Sequence, residues 1–595
     1  MMVSFSVYYQ LLLIIYFKEK MRKIKKMKKN LLKKITGMVV ASAVLLAGCG
    51  SKDAETDARS NADSTDITQT AENNNADAGS DAASDAAAGS ITYPLNSDKT
   101  VSWYIQDFPT PHEKYADASE SPFHTGLQEQ LGVTIDWSFP TVGSDANSFT
   151  NTLMAEPDAL PNIMTGYFMN NANQYLDDGI IWDLTDYIKE YAPDYYAFLQ
   201  TNPAYDRAMK TDNGQYYAFG FFREDGGWND TYLGPVVRKD WMEECGLEIP
   251  TTISEFENVI RVFHDKYGAT FDAAYGRFNA VGVAGAFGAY GNADVGNGWY
   301  IKDGKVGLGQ VEPEWREYMS WQNKLWEEGL IDQDILTEDD TTVKDKIHND
   351  KCGIAITSMG QINNWNKERV EAGKDEVWIG IPYPKSDNGE ISSVFGGFGI
   401  GGQTTVISKT ADEETLKLCL QMLNYGYTQD GILYWNYGKE GVSWEYNGEH
   451  VPTFTSLVTE DTDTDPISKY GGLICFGPSV QATNMLYMKN SQTACDADST
   501  WFYVWPDDEE KNLAVTGGWK WPTGVTFTTE EADELDEISQ NIPTYVSESF
   551  AAFLTGTKDI DDDAVWEQYL SDMETYNLSR VLEIRQACYD RYKNR

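Results

Sequence analysis

An α/β fold with parallel sheets is what this chain predicts, and two observations predict it. Residues 100–164 alternate strand-like and helix-like segments, the pattern that crossover helices over a parallel sheet leave in a sequence. Farther on, three amphipathic helices, two of them opening at capping residues, carry apolar stripes fit to cover such sheets. From Ile91 to Arg595 there are roughly 500 residues, enough for two or three domains with substantial cores.

An export signal comes before the fold. Met27-Lys28-Lys29-Asn30-Leu31-Leu32-Lys33-Lys34 is a cationic run, and Ile35 to Gly48 carries no charge. A basic stretch, a short apolar stretch and small residues in that order make a secretory signal peptide. The apolar run falls short of the ~20 residues that a membrane-spanning helix needs. Leu46-Ala47-Gly48-Cys49 resembles the lipobox of bacterial lipoproteins, in which the cysteine is acylated and becomes the mature N-terminus. Two or more acyl chains hold a protein stably on a membrane. Residues 1–26 read as an upstream extension, because Met21 or Met27 is a more natural start. Residues 1–48 are thus assigned to the signal and its extension, and 49–92 to the lipidated Cys49 and an acidic linker. Gly50 to Ser90 holds mostly Asp, Ala, Ser, Asn, Thr and Gly, with no aromatic residue before Tyr93. Such a segment cannot bury enough apolar surface to fold, and as a coil it would span roughly 35 Å.

The folded part opens with strand patterns at Thr100 to Ile105 and Gly132 to Trp137, separated by a short helix ending near Leu131. Phe149 to Met154 starts another helix, Leu160 to Met164 follows it, and Gly214 to Phe219 reads as a further strand. Leu233 to Arg238 is a strand running into Lys239-Asp240-Trp241. Thr252-Ile253-Ser254-Glu255 has the form of a capping box, and the helix it opens places Phe256, Val259, Ile260 and Phe263 on one face. Trp315, Tyr318, Met319, Leu325 and Trp326 form a second stripe that stops at Gly329. Thr410-Ala411-Asp412-Glu413 opens a third helix that buries Leu416, Cys419, Leu420 and Leu423.

Composition narrows the chemistry. Ten Lys/Arg and one acid precede Cys49, so of 47 basic and 92 acidic residues the mature chain keeps 37 and 91. A surface so acidic repels phosphate backbones, which argues against nucleic acid, and it repels anionic headgroups, which makes a lipid tether more necessary. Trp, Tyr and Phe number 18, 35 and 24 against five His. Six cysteines remain besides Cys49, an even number that permits disulfides without fixing their pairing. There is no CxxC and no Cys/His cluster, so zinc is not indicated.

The motifs that could carry catalysis fail on context. Gly397-Phe398-Gly399-Ile400-Gly401-Gly402 has the form G-x-G-x-x-G, but a strand at Thr404 to Ser408 follows where a dinucleotide site needs a helix. Asp461-Thr462-Asp463-Thr464-Asp465 has Pro466 and Gly472 where an EF-hand needs Gly and Glu. Asp561 to Asp563 suits a helix start. The five His stand in no Ser, Cys or Asp constellation, and no G-x-S-x-G elbow exists.

Several blocks in order resemble the extracellular solute-binding proteins of carbohydrate ABC importers. They are Arg238-Lys239-Asp240-Trp241, Gly246 to Thr252 with its helix, Trp326 to Asp332, Gly353 to Ile356, Asn436 to Gly441 and Cys588 to Tyr592. The nearest subgroup is the large lipoproteins of Gram-positive bacteria, and the resemblance spans residues 95–595. It implies a two-lobed, type II periplasmic-binding-protein-like α/β fold with hinge strands and a ligand cleft. Lobe one is expected at 93–232 with 396–440, and lobe two at 233–395 with 441–595. It further implies an oligosaccharide ligand, two permease subunits with a separate ATPase, a monomer tethered outside the cell membrane, and no catalysis. Some relatives carry a calcium loop before the strand at 214–219, and Thr211-Asp212-Asn213-Gly214 is too short to form it; no metal or cofactor is expected.

A sugar cleft wants flat aromatics bordered by polar side chains, because sugar rings have apolar faces and hydroxyl edges. Such mixtures fall after expected strands: Trp103 with Gln106 and Asp107, Tyr167, Arg223 with Asp225 and Trp228, and Ser358 with Trp365. Phe398, Trp435 and Trp444 complete the candidate ligand-binding set, and a core role is the alternative for each Trp. Arg223 is the one arginine in these loops, so the expected ligand is a neutral oligosaccharide rather than a uronate. A surface glycan-degrading enzyme, or a peptide- or metabolite-binding receptor of the same shape, would carry similar aromatics and acids.

Overall fold

Two sheets, each with its own core, organise the protein, and the chain passes from the first to the second and back. The computed structural model describes residues 90–106, 117–141, 145–223, 233–272, 283–338, 340–389, 400–448, 450–461, 477–482, 492–502 and 520–595. The expected signal, Cys49 and the linker as far as residue 89 lie outside the described residues. In chain order come β1 (Thr100–Ile105), β2 (Thr134–Ser138), β3 (Ile163–Gly166) and β4 (Phe219–Arg223). Next are β5 (Leu233–Arg238), β6 (Thr270–Asp272), a hairpin of β7 (Trp299–Lys302) with β8 (Lys305–Leu308), β9 (Cys352–Ser358) and β10 (Trp378–Gly380). The chain then makes β11 (Ile400–Ile407), a hairpin of β12 (Trp444–Tyr446) with β13 (Pro452–Phe454), and β14 (Val480–Gln481).

The first sheet has the order β14-β4-β11-β3-β1-β2 and the second β10-β5-β9-β6. Neither is purely parallel, as the alternating pattern predicts they should be. β1 runs parallel to β2 and β3, but β11 is antiparallel to both β3 and β4, and β5 is antiparallel to β9 and β10. The reason is the crossing itself. A strand that arrives from the other sheet enters at the edge where the resident strands leave, and so runs against them. β14 pairs with β4, so the first sheet also draws on a segment that the sequence reading assigns to the second lobe.

Alternation along a strand separates the cores. In β5, Val236 points into a cluster with Trp365, Trp378, Tyr383 and Trp501, and Val237 into one that runs on to Tyr592. The first core combines residues 101–222 with 406–435 and Val480. The predicted stripes are core: Phe256, Val259, Ile260 and Phe263 are buried on the helix Ile253–Tyr267, whose capping box of Thr252 and Glu255 is formed on both sides. The helix Pro313–Glu327 buries Trp315, Tyr318, Met319 and Leu325, with Trp321 added and Trp326 only partly covered. On the third helix, Glu413–Asn424, the cap is Asp412, accepting from the Thr415 amide, while Thr410 bonds the Leu160 carbonyl. The strand expected at 214–219 begins later, at Phe219, because Gly214 lies in a turn closed on Thr211. No disulfide joins the five described cysteines.

The two bodies are joined near the C-terminus as well as by the crossings. Asp212, in the turn before β4, accepts hydrogen bonds from Arg591 (2.7 Å) and Arg595 (2.8 Å), and Arg591 also holds Glu531. Gly524, at φ 98°, lies against Ala208 so closely that a Cβ there would sit 2.6 Å from the Ala208 Cα. Burial alone would raise the Glu531 carboxyl, but hydrogen bonds from Arg591, the Thr528 amide and the Cys588 thiol, with the Arg591 charge, hold it below its ordinary 4.5. A carboxyl depressed in the fold stabilises above its unfolded pKa and loses that contribution as pH falls through the folded value. Urea-unfolding stability should therefore decline below about pH 4.5. In Glu531→Gln that decline should be shallower and the stability at neutral pH lower. Equal acid slopes for both proteins would contradict this assignment.

Candidate functional site

The register of the first sheet brings several chain ends to one edge. β1 and β3 finish together, since Ile105 pairs with Thr165, and β4 and β14 finish together, since Gln481 pairs with Arg223. β11 begins at that edge, with Ile400 opposite Phe222. In the second sheet Leu233, where β5 begins, pairs with Ser358, where β9 ends. The chain passes from Arg223 to Leu233 and again into Ile400, so these two edges are the ones that the crossings connect. Open α/β sheets take ligands beyond such strand ends.

At the first edge the described residues build a fixed polar rim. Gln106 is nearly sealed from water, with its amide donating to Asn147 Oδ1 at 2.7 Å and its oxygen accepting from the Tyr167 amide at 3.2 Å. Gly166 makes this possible, because a Cβ there would lie 2.3 Å from the Gln106 oxygen. Tyr167 is 54% exposed, its ring lies over Gly402, and its hydroxyl accepts from Gln403 at 3.2 Å. Arg223 ends β4 half-buried, and its carbonyl accepts from the Tyr205 hydroxyl at 3.1 Å. An exposed flat ring beside immobilised carboxamides can stack the apolar face of a ligand and hydrogen-bond its edge.

The other candidate residues separate into three groups. Asp107, Asp225, Trp228 and Phe398 lie outside the described residues. Ser358 is at the second edge, but its hydroxyl caps the helix Met359–Glu371 by accepting from the Gln361 amide at 3.2 Å. The four remaining tryptophans are core, which corrects the expectation that they line a cleft. Trp103 is 1% exposed, donates to Thr165 Oγ1 at 3.0 Å and stacks on Trp137. Trp365, equally buried, packs against Trp378 with centroids 5.1 Å apart. Trp435 is held between Phe123 and Gly477, where a Cβ would lie 2.0 Å from its ring. Trp444 donates to the Gly438 carbonyl at 2.9 Å within a small satellite cluster. All four lie within strands or helices, on the face that each element turns to its core.

Gln106 stands beside Trp103 in the sequence reading as a polar border, and Asn147 and Gln403 are the rim residues that it leaves out. Gln106 has a signal, a polar residue closing the apolar run Val101 to Ile105; Asn147 and Gln403 have none. Gly401 and Gly402 lie within β11, so the glycine-rich motif continues as strand and presents no helix N-terminus. Among the described residues, no group of three or more His, Cys, Asp or Glu is placed to hold a metal ion. A cavity of about 940 Å³, lined by Lys99, Glu190, Tyr191, Glu414 and Lys417 among others, lies where β1 begins, at the far end of the sheet from this rim.

Comparison with known proteins agrees with this architecture. Residues 128–430 match the family described as bacterial extracellular solute-binding protein. The fructooligosaccharide ABC transporter substrate-binding protein FusA of Streptococcus pneumoniae is 23% identical, over 84% of this chain and 92% of its own length. The polygalacturonan/rhamnogalacturonan-binding protein YtcQ of Bacillus subtilis is 24% identical, over 71% of this chain and 77% of its own. Among solved structures, the alginate-binding protein AlgQ2 without calcium ion superposes with a TM-score of 0.67 at 20% identity, covering 84% of this chain and 100% of that one. FusA in complex with kestose gives 0.63 at 22% identity, covering 83% and 100%. The match spans more than half of the sequence, and the two sheets joined by chain crossings are the two lobes of that fold: this chain belongs to the bacterial extracellular solute-binding proteins.

Proposed function

We propose that this chain is the lipid-anchored substrate-binding component of an ABC importer and that it captures oligosaccharides, neutral ones by preference. The observation that carries the reading is the pair of sheet edges joined by crossings in a solute-binding family member, with Tyr167 and its carboxamide neighbours on one edge. The named ligands of similar proteins, fructooligosaccharide and kestose for FusA and polygalacturonan or rhamnogalacturonan for YtcQ, support a carbohydrate. The acidic balance of the chain and the amide-rich rim favour a neutral one. The lobes close about their crossings when the sugar enters, without covalent chemistry. The loaded monomer then meets two permease subunits driven by a separate ATPase. Acylated Cys49 holds it outside the cell membrane, with residues 50–92 as the tether.

Calorimetric titration with a panel of neutral oligosaccharides, alongside an assay for new reducing ends, tests this reading. Binding without cleavage is expected; new reducing ends would make the protein a glycan-degrading enzyme instead. Tyr167→Ala should weaken sugar binding by about 1–2 kcal/mol, the worth of a stacked aromatic, and leave the melting temperature unchanged. Trp365→Ala should instead destabilise the fold by about 3–5 kcal/mol, as emptying a packed core site does. Wild-type affinity in Tyr167→Ala, or a wild-type melt in Trp365→Ala, would contradict these roles. Cys49→Ala should release the protein into the medium, because an acidic domain without acyl chains has no hold on an anionic membrane. Retention of that variant in the membrane fraction would remove the lipid anchor from the account.

A further inference from the structure

Arg585 has an environment unlike that of its neighbouring arginines. On the same C-terminal stretch, Arg580, Arg591 and Arg595 each hold a carboxylate. Arg585, on the helix Leu578–Lys593, reaches none among the described residues, in a chain where acids outnumber bases two to one. Its guanidinium lies 3.9 Å from the centre of the Trp299 ring, with Trp521 at 5.3 Å and Phe527 at 5.5 Å. Its Nε is sealed from water and makes no hydrogen bond, while the residue as a whole stays partly exposed. Burial pulls its pKa down to about 10, so the group is still charged at neutral pH. A desolvated cation is costly unless paired, and aromatic faces compensate only in part.

All three rings pack on the second core, and the segment that carries two of them also touches the first lobe. Trp299 belongs to the hairpin β7–β8, which the same helix braces through Gln586, accepting from the Val306 amide at 2.9 Å. Trp521 and Phe527 stand on the segment that both lobes hold: the Phe527 carbonyl accepts from Asn173 of the first lobe at 2.6 Å. Trp299, the ring nearest the guanidinium, is buried, whereas Trp521 and Phe527 are only partly buried and keep some apolar surface open. A planar guanidinium takes a carboxylate on two parallel hydrogen bonds, and the ring beside it suits a sugar face.

We propose that Arg585, with Trp299, Trp521 and Phe527, forms an accessory subsite for a carboxylate-bearing sugar residue, apart from the strand-end rim. The subsite rests on the oligosaccharide reading for its sugar but not for its anion. Three probes separate the two: digalacturonate, acetate and a neutral fructo-oligosaccharide, each titrated calorimetrically into the whole mature chain and into Arg585→Gln. Digalacturonate should bind the wild type and lose at least tenfold in the variant, with the neutral sugar unchanged. Acetate as strong as digalacturonate would overturn the sugar part of the proposal. Wild-type protein that binds no digalacturonate, or a folded variant that binds it equally well, would overturn the subsite. If Arg585→Gln does not fold, Arg585→Lys decides: it keeps the charge without the two-pronged geometry and should lose affinity for digalacturonate alone. Neutral-sugar binding that fails while digalacturonate binds would remove the neutral reading and leave the subsite standing.

Discussion

A buried chain of hydroxyls at the centre of the first sheet is the interaction on which this architecture depends. The Trp103 indole donates to Thr165, and the Thr165 and Thr405 hydroxyls lie 2.9 Å apart, so β1, β3 and β11 are tied by side chains as well as by backbone. β11 sits between β3 and β4, and without it the sheet would fall into two pieces. Yet it reaches that place only after the chain has laid down all four strands of the second sheet. The entropy of closing so long a loop grows only as the logarithm of its length, so a whole lobe can be inserted here at little more cost than a long loop. The apolar residues of β11, Val406 and Ile407, are fully buried in the first core and offset part of it.

From that return follows the geometry of the site. A strand that comes back from elsewhere enters at the edge where its neighbours leave, which makes it antiparallel and puts the crossings beside the strand ends. Strand ends and chain crossings therefore share one region by construction. On the C-terminal side, Asp212 receives two guanidinium groups, with Arg595 almost wholly buried. A buried ion pair adds little net stability over apolar packing, but losing one partner is strongly unfavourable, so such a contact specifies one arrangement of the lobes more than it strengthens it.

Most secondary structure is legible in the sequence because it is local. The capping box of Thr252 and Glu255, the stripe from Trp315 to Leu325 and the strand at Leu233 need only their own neighbours to be read. Strand direction is not local: nothing within Ile400 to Ile407 says that it will run against β3. The site is less legible for the same reason. Trp365 and Trp435 follow the same polar-bordered pattern as Tyr167, and only tertiary packing turns them inward against Trp378 and Phe123 while Tyr167 stays out. Arg585 carries no signal either, since its distinction is the absence of a described carboxylate around it, and that is decided by three elements far apart in sequence.

Two lobes joined at these crossings are proposed to close on a sugar. Small-angle X-ray scattering of the mature chain, titrated with a neutral oligosaccharide that calorimetry has found to bind, tests it most directly. The radius of gyration should fall as the ligand saturates, in step with the calorimetric isotherm. A radius that stays constant through full saturation would contradict it.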